Sequence, residues 1–317
     1  MPFETIGSPL LWVAFVVFVL AMLAIDLGVF HKKAHDVSLR EAGAWSAIWI
    51  AFAAVFGIGI HAWFGGERAL EFATGYLIEK ALAVDNIFVF VVIFAAFGIP
   101  TRYQHRVLFW GVLGALVMRA AFIMAGGAFL QRFHWAIYVF GAILAITGFK
   151  LLVQRNEVLR PEDSLIVRWV RKIMPVTPGV EGDRFTLVRD GKRYATPLLL
   201  ALVAVEVTDV IFAVDSIPAI FAVTTDPFIV FTSNIFAILG LRSLYFLLAG
   251  VVTKFAYLKV GLSLVLVFVG AKMLLMDVYK LPILASLGVI AALLGGSIVA
   301  SVVFGPRKQV PAPEAVR

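Results

Sequence analysis

The chain has no cysteine and little charge of either sign. Without cysteine, disulfides and thiolate metal sites are excluded, and the sequence carries no mark of its redox compartment. Asp, Glu, Lys and Arg make up only 15% of the 317 residues, 62% are hydrophobic, and the mean hydropathy is +0.99. Soluble domains carry about 25% charged and about 45–50% apolar residues, so a soluble globular chain is excluded and an integral membrane protein is expected. The opening MPFETIGSP lacks a positive n-region, and no small-residue cleavage site precedes Asp26. The first apolar run is therefore expected to remain in the mature chain.

Apolar stretches of about 20 residues, enough to cross a hydrocarbon core of about 30 Å, fall near 9–30, 42–63, 70–97, 107–128, 134–153, 196–222, 227–250, 256–276 and 281–304. An all-α polytopic fold of about nine transmembrane helices in a single membrane domain, 1–317, is expected. The net charge of +7 is read by position, because cytoplasmic loops gather Lys and Arg. With the N-terminus outside, the outer face holds Arg68, Arg132 and Lys280, whereas Lys32, Lys33, Arg102, Arg106, the 155–193 loop, Arg307 and Lys308 all fall inside. An N-out, C-in protein of a bacterial plasma membrane follows, and the charge is no nucleic-acid footprint.

Outside the membrane, the one long segment is the loop at about 154–195. In EDSLIVRWVRKIMP the residues Leu165, Ile166, Trp169, Val170 and Ile173 share a helical face, which suits a helix lying on an anionic leaflet or capping the bundle. In RFTLVRDGKRYAT, Asp190 and Gly191 between short alternating runs signal a two-residue hairpin turn.

Within the apolar runs, costly groups recur. EKALAVDNIF holds Glu79 and Asp85, and EVTDVIFAVDSIP holds Glu206, Asp209 and Asp215; Asp209 and Asp215 each stand 130 residues after Glu79 and Asp85. MRAAF (118–122) pairs in the same order with LRSLY (241–245), and GFKLL (148–152) with GAKMLL (270–275). Three consecutive helices look duplicated, as about 70–153 and about 196–276. Three is odd, so the second copy enters the membrane from the other side, the inverted-repeat plan of many secondary transporters. The helices near 9–30, 42–63 and 281–304 stand outside the repeat.

An Asp at a helix centre costs roughly 2.5–3.5 kcal/mol on insertion scales, so the five acids require positive partners. Arg119, Arg242, Lys272 and Lys80 also fall in the spans and offer ion pairing or gating. The alternative is a bound multivalent cation, which the gathering of like charges favours. Asn86, Ser216 and Asn234 add neutral oxygens, and Pro218 is expected to kink or unwind its helix at AVDSIP, freeing carbonyls. An all-oxygen set suits hard divalent ions such as Mn²⁺, Mg²⁺ or Ca²⁺. Protons and metal compete for the same carboxylates, and exporting a 2+ ion against about 100 mV costs roughly 4.6 kcal/mol. Metal/proton antiport is the expectation.

EKALAVDNIFVF, VEVTDVIFAVDSIPAIFAVT and SNIFAILGLRSLYFLL closely resemble the signature stretches of the TerC family. That resemblance implies manganese export or divalent-metal homeostasis, with Glu79, Asp85, Glu206, Asp209 and Asp215 at the family's acidic positions. The metal ion is then the substrate and no cofactor is implied; the partners are the lipid bilayer, the metal ion and protons. A non-transporting metal chaperone that supplies secreted enzymes is the competing reading. An acid-protease dyad of Asp85 and Asp215 is set aside because the Gly-x-Gly-Asp pattern is missing.

Overall fold

The computed structural model describes residues 5–30, 38–133, 135–153, 172–189, 191–249, 257–279 and 281–304. Its order is α1 (Pro9–Phe30), α2 (Leu39–Phe64), α3 (Gly66–Ala96), α4 (Thr101–Arg132), α5 (Ala136–Val153), β1 (Thr186–Arg189), β2 (Lys192–Ala195), α6 (Pro197–Phe221), α7 (Pro227–Leu239), α8 (Leu241–Leu248), α9 (Leu258–Leu274) and α10 (Ile283–Phe304). Each expected apolar stretch is helical where described, one of them as the pair α7 and α8.

Among the described residues five helices are individually long and apolar enough to cross a membrane: α2, α4 over Thr101–Gly126, α5, α6 and α10. The bent pair α7 and α8 makes a sixth. The expected count of nine is larger because it includes α3, which carries Glu67, Arg68, Glu71, Glu79, Lys80 and Asp85. It also includes α1 and α9, whose apolar lengths Pro9–Ile25 and Val260–Leu274 are shorter.

Helix ends follow local chemistry. Ser38 caps α2 by accepting from the Glu41 amide at 3.2 Å. Gly65, at φ 90°, lets α2 turn directly into α3, a conformation closed to most side chains. Asp226 caps α7 through the Phe228 and Ile229 amides, and Pro227 follows at the first helical position, where no amide is needed. The Asp226 carboxylate also accepts from Thr5 Oγ1 and the Ile6 amide, both at 2.8 Å. The residues ahead of α1 are thereby fastened to α7.

Between β1 and β2 the register pairs Arg189 with Lys192, and Gly191 has φ 73°. The expected two-residue hairpin is present. The amphipathic segment around Leu165, Ile166, Trp169 and Val170 lies outside the described residues.

One apolar cluster joins α1, α2, α3, α4, α6, α7 and α8, and includes Phe15, Phe72, Phe94 and Phe236; a second joins α3, α4, α5, α6, α7, α9 and α10. α5 and α9 pack backbone against backbone. A Cβ on Gly148 would fall 2.7 Å from the Ser263 carbonyl oxygen, and one on Gly270 would fall 2.5 Å from the Ala145 amide. Gly141 meets Met273 while Gly148 meets Ser263, so the two helices run antiparallel.

At Pro218 the expectation of unwinding is corrected: α6 is helical through that residue and ends at Phe221. Pro218 stands in the final turn, where the lost amide removes a single bond and little helix follows to be displaced. The break occurs instead between α7 and α8, at Gly240, with an angle of 42°. There Lys80 Nζ donates to the Ala237 carbonyl at 3.2 Å, and a Cβ on Gly240 would stand 2.9 Å from that nitrogen. Glycine at the bend makes room for the lysine that satisfies the freed carbonyl.

Candidate functional site

Buried in the bundle, Arg119 of α4 is 1% exposed and gathers side chains from three other helices. Its Nη1 pairs with Glu79 Oε1 of α3 and donates to Ser216 Oγ of α6 at 3.2 Å and Asn234 Oδ1 of α7 at 3.3 Å. Asp209 of α6 takes the other edge, with Nη2 to Oδ1 at 3.1 Å and Nε to Oδ2 at 3.3 Å. That edge is a bidentate fork, the geometry in which a guanidinium fits a carboxylate best. Glu79 is fully buried, Asp209 is nearly so, and Ser216 and Asn234 are buried as well.

A buried charge demands pairing, and here one cation answers two acids. Glu79 nevertheless keeps Oε2 buried without a hydrogen-bond partner among the described residues. Glu206 stands one helical step before Asp209 on α6, half-buried, with its Oε2 also buried and unpartnered among the described residues. Its carboxylate lies against Gly114 of α4, where any Cβ would overlap it.

The structure thus brings Glu79, Asp209, Ser216 and Asn234 together on Arg119, with Glu206 one helical step from Asp209. The side chains of Asp85 and Asp215 lie outside the described residues. Asn86 is buried on α3 and Arg242 on α8. Lys272, in the last turn of α9, lines a separate pocket with Ala222, Val223, Tyr279 and Leu281. Among the described residues no three His, Asp or Glu side chains converge as a metal cluster, and the Arg119 guanidinium pairs with both Glu79 and Asp209.

Sequence reasoning passed over Gly114 and Gly240. Gly111 and Gly114 stand three apart on one face of α4, which is a small-residue signal for a close neighbour. The latch of Thr5 on Asp226 had no local signal, because its partners are 221 residues apart.

A model of the integral membrane protein TerC family matches residues 64–309. The chain belongs to the TerC family. Among similar proteins, the membrane protein STKORF319 of Myxococcus xanthus is 61% identical, covering 98% of this chain and 99% of its own. Proteins named as the membrane-bound redox modulator Alx are 48% identical in Escherichia coli K12, over 92% of this chain and 94% of theirs, and in Photorhabdus laumondii, over 94% and 96%. No solved structure matches. The TerC match takes in every described helix from α3 to α10, and therefore every residue of the Arg119 cluster.

Proposed function

We propose that this TerC protein exports a hard divalent cation, Mn²⁺ above all, by exchange with protons at the carboxylates around Arg119. The observation that carries this reading is the meeting of Glu79 and Asp209, which stand at matched positions 130 residues apart, at one buried point. Such an assembly of intramembrane acids marks an ion or proton path by default.

The inverted repeat belongs to the same proposal, and paired contacts support it. Gly148 packs on Ser263 and Gly270 on Gly141; subtracting 122 from 270 and from 263 gives 148 and 141, so each contact is the image of the other. Gly75 packs on Ser233, and Val205 packs on Gly111. Adding 130 to 75 gives 205, and 111 with 233 again stand 122 apart. The antiparallel run of α5 and α9 is what a two-fold axis in the membrane plane requires.

We place the protein in the bacterial plasma membrane with its N-terminus outside and its C-terminus inside, on the distribution of Lys and Arg. No enzymatic role is proposed. The name given to the Alx relatives fits a cation carrier more readily than a thiol couple: with no cysteine, this chain has no thiol to cycle. Control of a metal that takes part in redox chemistry reaches the same end by another route.

The test is flux in liposomes that hold the purified protein and a divalent-metal indicator, with Mn²⁺ added outside, with and without a pH gradient. Saturable, gradient-dependent flux that disappears in Asp85→Asn and in Asp215→Asn is expected. Folded protein that binds Mn²⁺ and moves none would overturn the transport reading in favour of a metal chaperone.

A further inference from the structure

Among the oxygens that this reading assigns to a cation are those that Arg119 holds. Its three side-chain nitrogens reach five of them: Glu79 Oε1, both oxygens of Asp209, Ser216 Oγ and Asn234 Oδ1. Two carboxylates, an amide oxygen and a hydroxyl are also a complement that a hard divalent ion takes. A guanidinium and a divalent ion repel each other, so they cannot share this set at bonding distance.

We propose that Arg119 is a tethered counter-cation: it holds the carboxylates between transport events and withdraws to Glu206 when the substrate cation binds. This rests on the cation-transport reading and adds what occupies the site in between. Two observations point to the exchange. Glu79 Oε2 has no hydrogen-bond partner among the described residues, so Arg119 leaves the nest incompletely satisfied. Glu206, three residues before Asp209 and therefore on the same helix face, holds a buried oxygen that is likewise unpartnered among the described residues. Asp209 and Glu206 lie about 4.5 Å apart along α6 at a rise of about 1.5 Å per residue, the step that the Arg119 side chain would take between them. Gly114 gives the Glu206 carboxylate its place against α4.

Each residue then has a distinct role. Glu79 and Asp209 contact the cation. Arg119 holds the site in a form closed to that cation, which lowers its apparent affinity by the fraction of time the site is free. Glu206 acts through Arg119 as a positioning residue. In the cation-bound form, Arg119 and Glu206 neutralise each other, so among the described carboxylates the cation's charge falls on Glu79 and Asp209.

The experiment is Mn²⁺ calorimetry on the full chain in detergent, with size-exclusion chromatography to verify folding. Arg119→Gln is expected to bind Mn²⁺ on the order of tenfold more tightly than the wild type, because the competitor is gone. Arg119→Lys, which keeps the charge and loses the fork, falls between them. Glu206→Gln weakens binding while Arg119 is present and has no effect on top of Arg119→Gln, the signature of a coupled pair.

Folded Arg119→Gln that binds no more tightly than the wild type overturns the tethered-cation role. Should that variant not fold, Arg119→Lys decides by the same criterion. Equal weakening by Glu206→Gln in both backgrounds makes Glu206 a ligand and overturns the withdrawal path. Absence of Mn²⁺ binding in every folded form, wild type included, overturns the transport reading together with this one; a wild type that moves Mn²⁺ beside an unimproved Arg119→Gln overturns this one alone.

Discussion

The Glu206 carboxylate rests against Gly114. Gly114→Ala is expected to turn that carboxylate, the far end of a flexible side chain, away from α4, at a cost below that of overpacking against fixed atoms, about 1–3 kcal/mol. Thermal unfolding in detergent should report a fall smaller than that of Gly148→Ala, which Glu206→Ser in the same chain removes; a fall that Glu206→Ser leaves in place would mean that another neighbour carries it. The acids themselves were legible in the sequence, because a charge in an apolar run stands out wherever it falls. What holds them was only half legible. Arg119 showed itself as an intramembrane cation, but its pairing with Glu79 and Asp209 is settled by how α3, α4, α6 and α7 converge, a relation between positions 40 to 115 residues apart.

At the scale of the element, the seam between α5 and α9 is built on backbone contact. Gly148→Ala would set a methyl against the Ser263 carbonyl oxygen at 2.7 Å and the Val267 amide nitrogen at 2.8 Å. Gly270→Ala would set one at 2.5–2.6 Å from the Ala145 amide nitrogen and the Gly141 carbonyl oxygen. Neither neighbour is a flexible side chain that can turn away, so both variants should lose roughly 1–3 kcal/mol. If the halves are related by a two-fold axis, the losses should be of similar size, and chemical denaturation of the two variants side by side measures that directly. The helices were legible as apolar runs and the hairpin as a glycine turn. The break was misplaced: proline is a strong local signal, yet Pro218 falls where its helix is about to end, whereas Gly240 breaks the chain at a point occupied by Lys80 of another helix. Sequence marks where a helix is weak, and packing decides which weak point yields.

Taken whole, the molecule fastens its beginning to its middle. Thr5→Val is expected to remove the hydroxyl's bond to the Asp226 carboxylate and the one it accepts from the Gly7 amide at 3.0 Å, the first worth about 1.5–3 kcal/mol as a bond to a charged group. Asp226→Ala also uncaps α7, which by itself costs about 0.5–2 kcal/mol, so its melting temperature should fall further. Equal melting temperatures for the two variants would mean that the cap contributes nothing beyond the latch. The same carboxylate serves the N-terminal residues at one end of α7, while Asn234, eight residues along that helix, touches Arg119. At a rise of about 1.5 Å per residue those two points lie about 12 Å apart on one rigid rod, so the latch and the charge cluster are joined by a single element.

That latch also sets an order in time. The residues that close it are 221 positions apart in the chain, and synthesis at about 5–20 residues per second takes roughly 10 to 45 s to cover that distance. For that period the first helix sits in the bilayer with its leading residues unsecured, and the bundle can still admit or shed helices. When α7 is made, Asp226 meets Thr5 and Ile6 already in place, so a later-made helix secures the residues ahead of an earlier-made one.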